Sequence, residues 1–348
     1  MVYSKVVIYY FSGTGNAKKA AEWIADEAFN FGVNATVYSI DNPEKIVYPD
    51  GNEKTLIGFC SATHGFNLPP IMLRFIYKFP KIKNCNTFIL NTRAGMKLFK
   101  IFTPGLSGIA LILPFIFLLF KGYKTIGFRP LDMPSNWISL HPGIRKKIVI
   151  SIFERCEKIS RDFTKKILSG KKVYRGLFSL PLDLLITPIS LGYYLVGRFM
   201  LSKTFISTSD CNNCGLCLKQ CPVKAIENQN NQMYWTFKCE SCMKCMNNCP
   251  QRAIEVPISY VAIIWYLALG LVPNFIMDKI LLIIKVPLEN IYIQLIYNIL
   301  LFIFIFLFSY LGYKMLHLLM RYRVINKIIA YTSLTKYKFW RRYNPKKM

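Results

Sequence analysis

The sequence predicts an α/β chain built on a parallel sheet, joined to a small α+β cysteine-rich domain and a C-terminal hairpin of membrane-spanning helices. Three observations carry this. β-branched and aromatic runs alternate with amphipathic stretches through residues 1–168, eight of the eleven cysteines fall between Cys211 and Cys249, and two uncharged stretches, Ile258–Met277 and Ile291–Tyr313, lie near the end. The composition agrees with a partly lipid-bound molecule: net charge is +27, 53% of residues are hydrophobic and only 18% are charged. So much apolar surface excludes a disordered chain. A basic, soluble nucleic-acid binder would carry more charge, and the basic residues flank greasy segments, where anionic lipid is the nearer partner.

The first strand is KVVIYYF, Lys5–Phe11, followed by a glycine loop and by a helix over Ala17–Phe31 with Ala20, Ala21, Ile24 and Ala28 on one face. The runs NATVYSI, TLIGFCS, NTFILNT and YKTIGFR supply four more strands, and a basic amphipathic helix over Leu140–Ser169 closes this domain. Strands alternating with helices give a parallel sheet. Val2–Phe11 contains no small-residue cleavage site and leads straight into the loop, so the cysteines are expected in a reducing cytosol.

Two further apolar stretches approach the length of a span, Ile101–Phe120 and Gly176–Gly197. Were both to cross a bilayer, residues 121–175, with 14 Lys and Arg against 4 Asp and Glu, would lie outside, against the positive-inside bias. The first is therefore expected to be the helix between strands four and five. The second is expected to be an interfacial connector over 169–205, its Pro181, Pro188 and Gly192 opposing a straight rod. The two spans lie within 258–313. The tail, 314–348, has ten Lys and Arg and no acidic residue, which places it, and with two crossings the cysteine domain, on the cytoplasmic side of the cytoplasmic membrane.

The cysteine domain, 206–257, is an internal duplication: CNNCGLCLKQCPVKAIE at 211–227 is repeated as CESCMKCMNNCPQRAIE at 239–255. Three cysteines at this spacing wrap one corner of a cubic cluster, and the fourth comes from the other repeat. Cys211, Cys214, Cys217 and Cys249 are thus assigned to one [4Fe-4S] cluster and Cys239, Cys242, Cys245 and Cys221 to a second. Structural zinc has no use for a third cysteine at the same interval. Cys60, Cys85 and Cys156 have no paired spacing and are expected to be plain packing residues. Thr208–Pro257 resembles the bacterial two-cluster ferredoxin domain, which implies one-electron transfer.

The loop Ser12-Gly13-Thr14-Gly15-Asn16, with Ala17, follows a strand and opens a helix, so its backbone N–H groups face an anion. It lacks both the Walker lysine and the third glycine of a dinucleotide fingerprint, so no direct NAD site is expected. Ser12, Thr14 and Asn16 offer side-chain donors that suit a phosphate monoester. On these residues the N-terminal half resembles a flavodoxin. The resemblance implies an α/β flavodoxin-like, doubly wound parallel sheet of order 2-1-3-4-5, with FMN at the switch point. It further implies that Ser61, Ala62, Thr63, His64, Gly65 and Phe66 after strand three, and Thr92, Arg93, Ala94 and Gly95 after strand four, hold the isoalloxazine ring. His64 or Phe66 is expected to stack on one side. No aromatic follows strand four before Phe99. Arg93, if beside the pyrimidine end, would favour an anionic reduced flavin.

The fusion of these two modules resembles the EFR-family ferredoxins, as do Asp132–Trp137, Ala330–Thr335 and Trp340–Tyr343. The expectation is a membrane-associated electron-transfer flavoprotein passing electrons between two [4Fe-4S] clusters and FMN. Its donor would be a ferredoxin-like protein or low-potential reductase, its acceptor a quinone or a small oxidant. The alternative is a membrane-tethered ferredoxin whose flavodoxin-like half has lost FMN and serves for docking.

Overall fold

The computed structural model describes residues 2–276, 279 and 291–340. Met277, the linker residues Asp278, Lys285 and Glu289, and the last eight residues of the basic tail lie outside the described residues. The chain forms two compact units, Met1–Arg198 with Glu240–Asn247, and Phe199–Cys239 with Asn248–Trp340.

In the first unit, β1 (Lys5–Phe11), β2 (Asn34–Ser39), β3 (Thr55–Ala62), β4 (Cys85–Leu98), β6 (Lys124–Pro134) and β7 (Val173–Tyr174) form one parallel sheet of order β2-β1-β3-β4-β6-β7. A short β5 (Ile101–Thr103) pairs antiparallel with the end of β4. The fifth parallel strand is therefore β6, and the expected flavodoxin-like order stands.

The alternating side chains of β1 explain the layering. Val6 and Ile8 enter one core with Ala20, Ala21 and Ile24 of α1 (Asn16–Asn30). Val7, Tyr9 and Phe11 enter the opposite core with Met72 and Ile76 of α2 (Pro70–Lys78) and Leu118 of α3 (Ile112–Phe120). The helix α4 (Lys146–Leu168) covers the first face through Ile152, Phe163 and Ile167. It starts six residues later than its hydrophobic pattern predicts, because Pro142-Gly143 interrupts the helical path.

Ile101–Phe120 corrects the sequence reading. It is not one helix: Ile101–Thr103 extends the sheet, Pro104-Gly105 turns the chain, and only nine residues, Ile112–Phe120, are α-helical. The expected connector also departs from a rod. Its two helical parts, Arg175–Leu185 and Thr187–Ser202, meet at 77°. Pro181 and Pro188 each fall in the first turn of a helix, where a missing N–H costs nothing, so the bend sits between them.

In the second unit, Ile206–Ser207 pairs antiparallel with Ile254–Glu255, and Ile226–Gln229 with Gln232–Trp235. The latter hairpin turns through Asn230 and Asn231, both left-handed, as a two-residue turn of that twist requires. Two helices are long and apolar enough to cross a membrane, Ile258–Ile276 and Ile291–Leu319. The second runs past the expected Tyr313, since Lys314, whose charge ends the apolar stretch, is a good helix former and does not end a helix. Tyr260 donates to the Gly312 carbonyl at 2.8 Å, and a methyl group on Gly312 would sit 3.1 Å from Ile264, so a small residue lets these helices approach.

Candidate functional site

The carboxyl ends of β1, β3, β4 and β6 converge at the switch point of the sheet, where β1 is flanked by β2 and β3. A cavity of about 220 Å³ opens there. Of the predicted residues it collects Ser12, Thr14 and Asn16 from the first loop, Ala62, Thr63, His64, Gly65 and Phe66 from the second, and Thr92, Arg93 and Ala94 from β4. Gly13, Gly15, Ala17, Ser61 and Gly95 do not line it. Ser61 is a buried strand residue opposite Asn91, Gly95 pairs with Pro134, and Ala17 faces the core.

The first loop is pinned from within. The Gly15 N–H donates to Ser12 Oγ at 3.0 Å, and Gly15 is left-handed, which opens α1 without a side-chain cap. Asn16 is not aimed as a phosphate donor: its Nδ2 donates to the Pro134 carbonyl at 2.8 Å and ties the helix to the end of β6. Ser12, Thr14 and the helix N-terminus remain as the groups that would meet an anion there.

The second loop is a two-residue hairpin turn. The His64 and Asn67 backbones exchange hydrogen bonds, and Gly65 and Phe66 between them are both left-handed. That backbone is strained for Phe66 and is held from outside. Its carbonyl accepts from Ile109 N at 3.1 Å and from Ser190 Oγ at 2.8 Å. A Cβ on Gly65 would strike the Tyr193 ring. The loop is tied to β4 by Thr63 N donating to the Thr92 carbonyl at 2.8 Å and Asn91 Nδ2 donating to Thr63 Oγ1 at 2.7 Å.

His64 packs edge-on against Phe11, with ring centroids 6.1 Å apart. Burial lowers its pKa to about 4, against the raising effect of a hydrogen bond to the Glu240 backbone, and its Nδ1 is enclosed with no hydrogen-bond partner among the described residues. Arg93 is not in a loop, because β4 continues to Leu98. Its Nε meets Asp132 Oδ1 at 2.7 Å and its Nη1 reaches Ser179 Oγ at 3.1 Å, with both partners largely shielded. The Asp132 carboxylate compensates the guanidinium, so Arg93 brings little net charge to a ring beside it.

The sequence reading missed a second group of wall residues. Pro134, Ser135, Asn136, Trp137 and His141 follow β6 and line the same cavity. Trp137 supplies the aromatic not found after strand four, while Phe99 is fully exposed at the tip of the β4–β5 hairpin. Trp137 meets Tyr193 edge-on at 5.6 Å, and its Nε1 is buried without a partner among the described residues. His141 Nδ1 lies 2.9 Å from the Pro142 carbonyl, which fixes the Nδ1–H tautomer and leaves Nε2 to accept from Ser135 at 2.7 Å. The only advance signal was the resemblance carried by Asp132–Trp137.

The third wall had no local signal at all. Ser241, Cys242 and Met243 line the cavity, and a Cβ on Gly13 would strike the Cys242 carbonyl. Glu240 anchors this segment: it is buried, accepts from Ile71 N at 3.2 Å at the start of α2, and pairs with Arg74 at 2.9 Å. Burial raises its pKa to about 7, against the lowering effect of these partners.

These residues fit FMN. Phe66, His64 and Trp137 line the space, the His64 Nδ1 and Trp137 Nε1 have no partner among the described residues, Ser12 and Thr14 add hydroxyl donors, and among the described residues no carboxylate lines the cavity.

In the second unit, the Cys211 and Cys217 thiols each feel Cys249, and Cys211 feels Cys214, so the first cluster's four predicted ligands are electrostatic neighbours. Equivalent N–H···S hydrogen bonds recur in the two repeats, Ala225 N to Cys221 Sγ at 3.2 Å and Ala253 N to Cys249 Sγ at 3.3 Å. Such bonds tune cluster potentials. No three His, Cys, Asp or Glu side chains among the described residues converge as around a single metal ion, so the cluster assignment rests on the spacing and on the family match below. Cys60 and Cys156 are buried packing residues, and burial pushes the Cys156 thiol up to about 12.

The family model for the 4Fe-4S dicluster domain matches residues 210–254, which supports 4Fe-4S clusters in this segment. A search of curated protein sequences returned no match. Among solved structures, a flavodoxin from the domain Archaea is 17% identical over 47% of this chain and 98% of its own, with a TM-score of 0.31. Flavodoxin 1 from Bacillus cereus is also 17% identical over 47% of this chain and 98% of its own, with a TM-score of 0.30. The rubredoxin oxygen:oxidoreductase of the anaerobe Desulfovibrio gigas is 14% identical over 48% of this chain, with a TM-score of 0.31, and the match spans only 36% of that protein. The fold assignment itself stands on the strand order and register described above.

Proposed function

We propose that the chain is a membrane-associated iron–sulfur flavoprotein that passes electrons between two [4Fe-4S] clusters and FMN. The observation that carries this reading is the placement of Cys242, a predicted ligand of the second cluster, in the wall of the cavity that fits the flavin. FMN, when bound, exchanges electrons singly with clusters and in pairs with organic partners, which clusters alone cannot do. Ser12, Thr14 and the start of α1 would hold its phosphate. His64, Phe66 and Trp137 would enclose the ring and exclude water, and Gly13 allows the Cys242 backbone to close against the loop.

The two apolar helices support attachment to the cytoplasmic membrane, with the basic tail and both redox domains on the cytoplasmic side. The fusion supports the resemblance to the EFR-family ferredoxins. A ferredoxin-like protein or low-potential reductase is the proposed donor, and a quinone or small oxidant the proposed acceptor.

The test is anaerobic purification from detergent-solubilised membranes, with iron, acid-labile sulfide and released flavin counted per chain. About eight irons and one FMN are expected. Eight irons with no flavin, even after FMN is added back, would leave a membrane-tethered ferredoxin with a docking domain.

A further inference from the structure

The bent pair of helices at Arg175–Leu185 and Thr187–Ser202 is amphipathic in the wrong sense for water. Asp183 is 2% exposed and Ser190 is fully buried, whereas Phe178, Leu185 and Leu195 are 80%, 78% and 67% exposed. A helix on a soluble domain puts these classes the other way round. The inversion is built in. Asp183 Oδ1 accepts from Ser107 N and Gly108 N, both at 2.8 Å, and its Oδ2 accepts from Ser179 at 2.7 Å. Ser190 holds the Phe66 carbonyl. With Asp183 and Ser190 committed inward, the residues the segment exposes after Arg175 are apolar side chains, Pro and Gly. Together the two parts have the length and apolarity of one span, yet the 77° corner prevents a straight crossing. Exposed cations, Lys171 and Lys172 just before it and Arg175 as its first residue, stand where anionic headgroups would meet them.

We infer that residues 175–198 form a re-entrant wedge that sinks into the lipid leaflet and carries the wall of the flavin cavity with it. The occupant of this face is the bilayer, and the inference rests on the membrane reading above. The wedge has a functional consequence. Its Tyr193 covers Gly65 and meets Trp137, and its Ser179 holds Arg93, so the segment that touches lipid also shapes the cavity. An acceptor dissolved in the bilayer would then approach the site along the wedge, without first leaving the membrane.

The test is hydroxyl-radical footprinting of the unsubstituted chain in nanodiscs of phosphatidylcholine and phosphatidylglycerol. Two exposed apolar residues serve as references, Leu307 in the second spanning helix and Phe29 on α1. Labelling at Phe178, Leu185 and Leu195 is expected to fall to the level of Leu307, while Phe29 labels freely. Labelling equal to Phe29, with Leu307 still protected, would overturn the wedge and leave the spanning hairpin standing. Labelling of Leu307 as well would overturn the membrane reading itself. A photo-crosslinker in the full chain, Leu185→p-benzoylphenylalanine, separates lipid from protein cover: lipid adducts are expected, and chain-to-chain adducts would overturn the inference.

Discussion

The sharpest constraint at the scale of single residues is Gly13. Any Cβ there meets the Cys242 carbonyl, and a backbone carbonyl cannot swing aside as a flexible side chain would. Gly13→Ala should cost about 1–3 kcal/mol of overpacking and weaken FMN retention by about tenfold or more. Gly192→Ala is the matched control, since nothing lies near its Cβ position. Equilibrium dialysis of flavin and the unfolding midpoint would separate the two variants. His64 makes a pH prediction. Its pKa is depressed below the ordinary histidine value to about 4 by burial, so its neutral form is the stabilising one. The stability it contributes is complete above about pH 6.5 and is lost as the pH falls through about 4. Wild type should therefore show a steeper acid loss across that window than His64→Phe, measured as the melting temperature against pH.

Elements matter here because one side chain often fixes two of them. Asp183 is the clearest case, binding the Ser107-Gly108 turn to the bent helical pair. Asp183→Ala would orphan two buried N–H groups at about 1–3 kcal/mol each. It would also free Ser179 from its carboxylate partner and so loosen the hold on Arg93. The expected outcome is faster limited proteolysis around residues 104–110 with little change at α4, followed by mass spectrometry of the fragments. Polypeptide punctuation also explains where periodicity misled. Pro104-Gly105 and Pro142-Gly143 each cut an apolar or amphipathic run that the pattern alone extends through them. Hydrophobicity reports that a segment needs cover, whereas the turn residues decide how far one element reaches.

On the scale of the whole molecule, positive charge and apolar length act together. Charge alone would give a peripheral protein released by salt, but two helices long and apolar enough to span would, once inserted, hold the chain by hydrocarbon burial. The protein should stay with the membrane fraction through molar salt and alkaline carbonate washes and leave only with detergent, followed by immunoblotting. Release by salt would remove the spans from the reading.

The sequence by itself determined the modules. The duplicated cysteine spacing marks a two-cluster domain because cluster geometry demands that interval, and the strand–loop–helix at Ser12–Asn16 puts a glycine turn and a helix N-terminus at the switch point because that geometry is local. The parallel sheet was legible too, since β-branched runs and helical faces are written in neighbouring residues. Only the tertiary structure decided the rest of the cavity. Trp137 reaches it because the end of β6 is tied to the start of α1 through Asn16 and the Pro134 carbonyl, Arg93 finds Asp132 on the neighbouring strand, and Cys242 closes on Gly13 from far along the chain. The sequence marks Gly176–Gly197 as an apolar, interfacial stretch, but only folding turns Asp183 and Ser190 inward and leaves Phe178 and Leu185 outside. Spacing along a chain encodes what neighbours can do, but which distant groups share a wall follows from packing and strand order, and no local pattern carries it.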